Sequence, residues 1–558
     1  MTKLRRNTLI FLAVAALLIG GLSRYFQWWD RYVETSLGEW AVAEISERTR
    51  GVYTLVLGNL DFRPLTGRMS FDSAVVVTDT ALNRSRGYPF PTLRARATGC
   101  RISRVSVLGL MLFKRFEADA MGCKLVATAV ELAPAAARAK APTPAPQRPK
   151  AITDSGPRQI LKPPLGIRKF EISNIAFPTL QFSLRRARGA RGQASFEIAH
   201  ARFVGDKVEF DPTATPGTPE AFFSVGLRVG GSDIAFRPDP LTLYSLGGID
   251  IGLSDSTLSL SKLSLGPSVT DSEWVQHLKT RRDRIRFSLD SLNAAGIQYR
   301  TLVRTGEVHI RRVLLRGANF NVLSDKRLPP GPKKPHTAPQ TVAQKVAPAI
   351  RVDTIVVERS VISYLERKEK RERPGQLDFA NLSGRINNVH VPPSSSGPPL
   401  TANLTTKLMG VGAMAVRLTV PLDAPDFRFD LAGRIDSLPA SALNGFLAET
   451  TPVRMKGGQI DSIIFVTKTT GGVSKTTLTP YYRDLGIDFV SQGGVKGFLK
   501  AGLIEFGANT FAVRSSNPGG PNEPPRSAQV SRRYEATQSW LSFLWLGLRD
   551  GLLKTVKK

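Results

Sequence analysis

One pattern narrows what this chain can fold into: apolar and polar residues alternate, over and over, at a period of two. In FRFDLAGRIDSLPASALNGFLAETTPVRMKGGQIDSIIFV (427–466), Phe427, Phe429, Leu431 and Ile435 fall on one side of an extended backbone, and Arg428, Asp430 and Arg434 on the other. That is the mark of a sheet with one greasy and one wet face. Ser437 and Pro439 supply start signals for a short helix over 439–449, with Ala440, Leu443, Phe446 and Leu447 as its apolar stripe. The alternation returns in VYTLVLGNLDF, GRMSFDSAVVVTD, GQASFEIAHARFVGDKVEF, GEVHIRRVLLRGANFNVL and GQLDFANLSGRINNV. A loose template (Gly, any residue, apolar, polar, apolar) opens at Gly67, Gly192, Gly306 and Gly375, with Gly457 and Gly458 leading a looser relative. Its irregular spacing excludes a short-period solenoid and points to a strand-pair unit reused with variable loops. The fold class is mainly β.

Charge bounds the partners. Of 558 residues, 77 are Lys or Arg and 46 Asp or Glu, a net charge of +31. Such an excess attracts polyanions, whether nucleic acid or anionic lipid head groups. A solvated arginine-rich surface accounts for it equally well, because the cations are spread along the whole chain. Cys100 and Cys123 are too few for a metal cluster. Neighbouring strands would join them as a disulfide in an oxidising compartment; otherwise they are two buried thiols.

The N terminus bears on the compartment. Lys3, Arg5 and Arg6 precede an apolar run from Leu9 to Leu22, and Tyr25, Phe26, Trp28 and Trp29 follow it. The basic flank predicts a cytoplasmic N terminus with the remainder exported. No small-x-small cleavage site follows cleanly, and the aromatic cluster reads as an interfacial belt. An uncleaved anchor over 1–29 is therefore favoured over a signal peptide, with Leu9, Phe11, Leu12, Leu17, Leu18, Trp28 and Trp29 in contact with the membrane. This makes a single-pass protein whose remainder faces the periplasm or the outside of the membrane, beside a lipid surface and away from nucleic acid.

An amphipathic helix is expected over 30–51, with Val33, Leu37, Trp40, Ala41 and Ile45 near one face and Gly51 as its stop. Strands then fill 52–130, 167–327 and 350–514. Pro-rich stretches at 131–166 and 328–349, and a loop at 515–533, read as flexible excursions that bury too little to fold. RRARGAR (185–191) and ERKEKRER (366–373) read as hairpin tips. At 534–558, Trp540, Leu541, Leu544, Trp545, Leu548 and Leu552 recur at helical steps. That helix could lie on a bilayer or cap the sheet, and packing against the sheet is the simpler expectation.

No catalytic constellation emerges. The histidines (His200, His277, His309, His336 and His390) have no metal-ligand spacing, and GxSxG, HExxH and GxGxxG are absent. KTTGGVSKTT (468–477) has Ser474 where a phosphate loop needs glycine, and its flanks predict a hairpin. Asp423 and Asp426 fit turn chemistry. No enzyme and no cofactor are expected.

Three stretches carry a family resemblance. The span and helix leading into VYTLVLGNLDFRPLTGRMSFDSAVVVTD resemble the start of AsmA-like envelope proteins. RISRVSVLGLMLFKRFEADAMGCKLV is similar too: a strand, a Leu-rich connector at Leu108–Leu112, then a strand of the same sheet. LPASALNGFLAETTPVRMKGGQIDSIIFV resembles the family's short helix followed by a glycine-led strand pair. The resemblance implies a long antiparallel curved sheet forming an elongated groove, apolar inside and polar outside, anchored in the inner membrane and handling phospholipid. It carries no catalytic residue over. Even about twenty strands at ~4.8 Å would reach only roughly 90 Å, which favours a partner-assisted path or a supporting role over a stand-alone conduit.

A large one-sided sheet must cover its apolar face. Acyl chains can do so, at about 0.8 kcal/mol gained per methylene removed from water. Candidate lining positions are Phe71, Val308, Ile310, Phe379, Phe427, Phe429 and Leu431. The expected partners are phospholipid or another acyl-chain lipid, the inner membrane and other envelope proteins. The alternatives are a structural or assembly scaffold with a filled core and, more remotely, an exported enzyme acting on glycans or lipids.

Overall fold

A computed structural model describes residues 49–63, 66–86, 91–132, 169–186, 194–210, 222–299, 301–302, 306–331, 338–346, 348–393, 397–451, 453–489, 513–535 and 540–557, with residues 35, 38–39, 41–43 and 45–47. The expected anchor (1–29) and most of the first Pro-rich stretch lie outside the described residues. No helix among the described residues is long and apolar enough to cross a membrane. The described part of 30–51 is helical, and it ends where Gly51 donates its N–H to the Ser46 carbonyl at φ +79.

The chain is mainly β, with 21 strands among the described residues joined in a mixed sheet. It divides into two compact units, 1–240 with 248–254, and 241–247 with 255–558. In the first unit β1 (Tyr53–Arg63), β2 (Arg68–Thr78), α1 (Thr80–Ser85), β3 (Thr92–Ser103), α2 (Val107–Leu112), β4 (Arg115–Gly122) and β5 (Leu125–Leu132) lead to β6 (Lys169–Arg186), β7 (Ser195–Phe210) and β8 (Phe222–Asp239). β1–β2–β3 are antiparallel, as are β6–β7–β8. β4 and β5 are two halves of one interrupted strand: both run antiparallel to β3, and both run parallel to β6.

The same order then repeats from residue 242, where 242–247 belong to the second unit and 248–252 to the first. β9 (Thr242–Gly252), β10 (Thr257–Pro267), α3 (Asp271–Gln276), β11 (Arg284–Ile297), β12 (Val308–Arg316) and β13 (Asn319–Asp325) precede β14 (Ile350–Arg367) and β15 (Gly375–Val391). β12 and β13 again form one interrupted strand, antiparallel to β11 and parallel to β14. The break falls at Gly317, whose φ of +63 and closeness to the Asp290 carboxylate leave no room for a side chain. β6 and β14 also carry register shifts in the same stretch, after Phe177 and after Val357. The architecture is therefore repeated, with copies opening at Tyr53 and Thr242.

The parallel pairs correct the expectation of a wholly antiparallel sheet. A parallel neighbour needs a long crossover, and the two Pro-rich stretches supply it, through 133–168 and 326–349. The second is not all excursion. α4 (Pro339–Ala343) lies within it, and Gln340, buried, donates from Nε2 to the Arg428 carbonyl at 2.5 Å.

The second unit continues through β16 (Leu400–Leu408), β17 (Gly412–Val420), β18 (Phe429–Pro439), a 3-10 turn (Ala440–Leu443), α5 (Asn444–Thr450), β19 (Val453–Thr470), β20 (Val473–Phe489), β21 (Ala528–Arg533) and α6 (Trp540–Val556). The helix expected at 439–449 is present as the 3-10 turn and α5. Gly471 and Gly472, both at positive φ, turn the β19–β20 hairpin as KTTGGVSKTT predicts. The segment 515–533 is a correction: it holds β21, paired to β20, and the buried Asn517.

Alternation is repeatedly offset. Asn59, Gly99, Lys207 and Asp233 sit mid-strand in the left-handed region in the first unit, as do Lys262, Gly296, Arg359, Ser437 and Asp484 in the second. Each shifts the period by one, as a bulge does. In β1, Leu55 and Leu57 before Asn59 share a face with Leu60 and Phe62 after it; Val56 and Asn59 face out. The apolar face thus survives the bend.

Candidate functional site

The feature with most chemical potential is the inner face of the first unit. At one end it is a closed core: Phe62, Met69, Ile102, Val105, Phe116, Ile172, Ile175 and Val208 are buried together, with Val107 of α2 packed against them. The cross-strand register carries this face away from the core. Leu57 lies opposite Ala74, Ala74 opposite Ala97 and Ala97 opposite Val126; Val126 is beside Leu180, which lies opposite Ala201. One row on, Val76, Ala95, Thr128, Phe182, Ile198 and Ile234 follow one another from β2 to β8. Beyond them lie Leu93, Val130, Leu184, Phe196 and Phe236.

These outer rows are apolar yet only half-buried, and Phe236 is 37% exposed. Across β1, β2, β3, β5, β6, β7 and β8, strands about 4.8 Å apart make this band roughly 29 Å wide. The opposite face of the same strands is mixed: Arg94, Arg96, Gln181 and Glu197 are exposed on it, and so are Val56 at 56% and Val77 at 36%. Phe182 and Phe196 face each other with ring centroids 6.0 Å apart. Such a surface offers apolar contact, with Thr128 as the polar member among its named rows.

Cys100, opposite Phe71, is disulfide-bonded to Cys123 beside this face. The bond ties β3 to the break between β4 and β5.

The positions expected to line a groove fall in different parts of the two units. Phe71 is half-buried on the first unit's inner face. Val308 and Ile310 lie in the second unit, where Ile310 packs against the cluster of Ala294, Ile297, Val313 and Val352. Phe379 packs on a larger core formed by Phe427, Phe429, Leu431, Leu438, Phe465, Leu478 and Phe543. There α6 covers the sheet: Phe427 meets Phe543 and Tyr534 at 5.8 and 4.4 Å between ring centroids, and Phe429 is 1% exposed. Phe427, Phe429 and Leu431 are covered by the protein itself and are not an open lining.

The half-exposed band went unselected in the sequence although its signal was present. Leu180, Phe182 and Leu184 alternate with Gln181, Ser183 and Arg185, and Phe196 and Ile198 flank Glu197.

Two of the histidine and carboxylate groups singled out in the sequence make local bonds. His309 Nε2 lies 3.4 Å from Asp353, whose carboxyl is raised by burial but held lower on balance by hydrogen bonds from Arg351 and His309. Asp426 accepts from the Gly471 N–H at 2.7 Å, which closes a turn. Among the described residues no three His, Cys, Asp or Glu side chains gather as a metal site. No protein-family model and no curated protein matches this sequence.

Proposed function

We propose that this chain is a membrane-anchored envelope protein of AsmA-like type that holds phospholipid acyl chains against the inner face of its first unit. One observation carries the reading: from Leu57 to Phe236 the sheet presents a continuous, half-buried and largely apolar band that no described side chain covers completely. A continuous apolar face left partly open supports a binding role for it. The contact is non-directional, so it selects for chain length and shape rather than for head-group chemistry. Two further features support it. The Cys100–Cys123 disulfide suits an exported, oxidising location, and the basic-then-apolar N terminus suits an inner-membrane anchor.

A scaffold without lipid is the second reading, and α6 favours it for the last strands, whose apolar face is already filled. Photo-crosslinking in cells separates the two. A benzoylphenylalanine at position 182 of the full-length protein is expected to capture lipid, and one at 429 is expected to capture none. Protein adducts alone at 182, or no adduct there, would leave the scaffold.

A further inference from the structure

We propose that α2 and the residue after it form a tip that dips into an anionic lipid bilayer at the end of the first unit. Leu108, Leu112 and Phe113 are 66%, 69% and 68% exposed. Single exposed apolar residues are ordinary, but three large ones within six positions are not. They do not hang on a loose loop. The Ser106 hydroxyl caps α2 by accepting from the Gly109 N–H at 3.0 Å. Val105 donates its N–H to Gly67 at 2.6 Å and Ser106 to Glu117 at 2.8 Å. Val105 and Val107 pack into the closed core. The element is thus pinned by one side and offers leucine and phenylalanine on the other.

Charge selects the occupant. Lys114 and Arg115 follow directly, are exposed, and form no ion pair among the described residues. Arg104 is exposed as well and bonds Asp119 at 3.0 Å. Between 101 and 119, Arg101, Arg104, Lys114 and Arg115 stand against Glu117 and Asp119. Apolar side chains beside the exposed Lys114 and Arg115 match the boundary between acyl chains and anionic head groups.

The repeated architecture argues that the fold does not require this apolar tip. The equivalent connector of the second copy, between β11 and β12, reads QYRTLVRTGE over 298–307. There Tyr299 packs inward and its hydroxyl donates to the Thr257 carbonyl at 2.7 Å, and Leu302 is half-buried. The described apolar residues of that connector, Tyr299 and Leu302, are packed or half-buried, whereas Leu108, Leu112 and Phe113 stand exposed.

The proposal does not depend on acyl chains occupying the inner face, and its test reads a different position. Full-length protein carrying Leu112→Cys, labelled with an NBD fluorophore, is reconstituted into phosphatidylglycerol-containing vesicles. Blue-shifted emission quenched by doxyl-labelled lipid is expected, while the same label at Val411→Cys, another exposed site, stays red and unquenched. Adding Lys114→Glu and Arg115→Glu, or using purely zwitterionic vesicles, is expected to reduce the quenching. Emission at 112 as red and unquenched as at 411 would overturn the proposal. So would quenching indifferent to both lipid charge and the charge reversals.

Discussion

The ring of Phe429 meets that of Trp540 edge-on, with centroids 5.7 Å apart and planes at 81°. Phe543 lies beside them at 84° to Phe429, itself 1% exposed. α6 is therefore part of the core of the last strands. Edge-to-face pairs add to the burial each ring already contributes. Phe543→Ala should cost about 3–5 kcal/mol, as for a buried aromatic leaving a cavity, read as a lower urea midpoint. A near-neutral variant would mean that α6 leaves the sheet in solution.

The contrast between covered and uncovered parts of the sheet gives a second expectation. Phe182 is half-buried, so Phe182→Ser should cost only about 1 kcal/mol, roughly half the worth of a fully buried ring. Phe429→Ser should cost about 3–5 kcal/mol. Lipid retained through purification, measured by native mass spectrometry, should fall in the first variant and persist in folded protein of the second. Equal retention in both would detach lipid from the first unit's inner face.

Much of this architecture was legible, and the illegible parts share a cause. Alternation announces strands such as β18 and β19 because burial on one face is a local pattern. It carries no strand direction, so the parallel pairing of β4 and β5 with β6 could not be read. Nor does alternation say what covers an apolar face: Phe429 under α6 and Phe182 in the open band look alike in sequence. The left-handed offsets at Asn59, Lys207 and Arg359 are hidden for another reason, since glycine is the residue that advertises such a backbone. The repeat escaped because its copies begin as far apart as Tyr53 and Thr242. Of the template openings, Gly192 and Gly375 precede corresponding strands, β7 and β15, whereas Gly67 and Gly306 precede β2 and β12, which do not correspond.

The Cys100–Cys123 bond closes a loop with a sequence separation of 23. By the chain-entropy account, losing it should cost about 3 kcal/mol. The Cys100→Ala, Cys123→Ala double variant should unfold at lower urea than wild type, and added reductant should lower the wild-type midpoint but not that of the variant. Unchanged wild-type unfolding under full reduction would show that the packing around Phe71 holds β3 and β5 together unaided.

Asp325 anchors the end of β13, buried, with its carboxylate 2.7 Å from Arg327 and 3.3 Å from Arg367. Burial pushes its carboxyl up, but hydrogen bonds from the Arg327 side chain and backbone, with the charges of Arg327 and Arg367, outweigh that and hold it below its ordinary value. A carboxyl lowered on folding adds stability that is complete above its unfolded value, about pH 4, and is lost as pH falls through its folded value. Asp325→Asn should therefore destabilise the protein at neutral pH, by on the order of 3 kcal/mol because Arg367 loses its partner in a mostly buried setting. The penalty should shrink as the pH is lowered past 4. Urea unfolding of both proteins between pH 7 and pH 3 tests this: the gap in midpoint should narrow on acidification, and a constant gap would assign the effect to packing instead of charge.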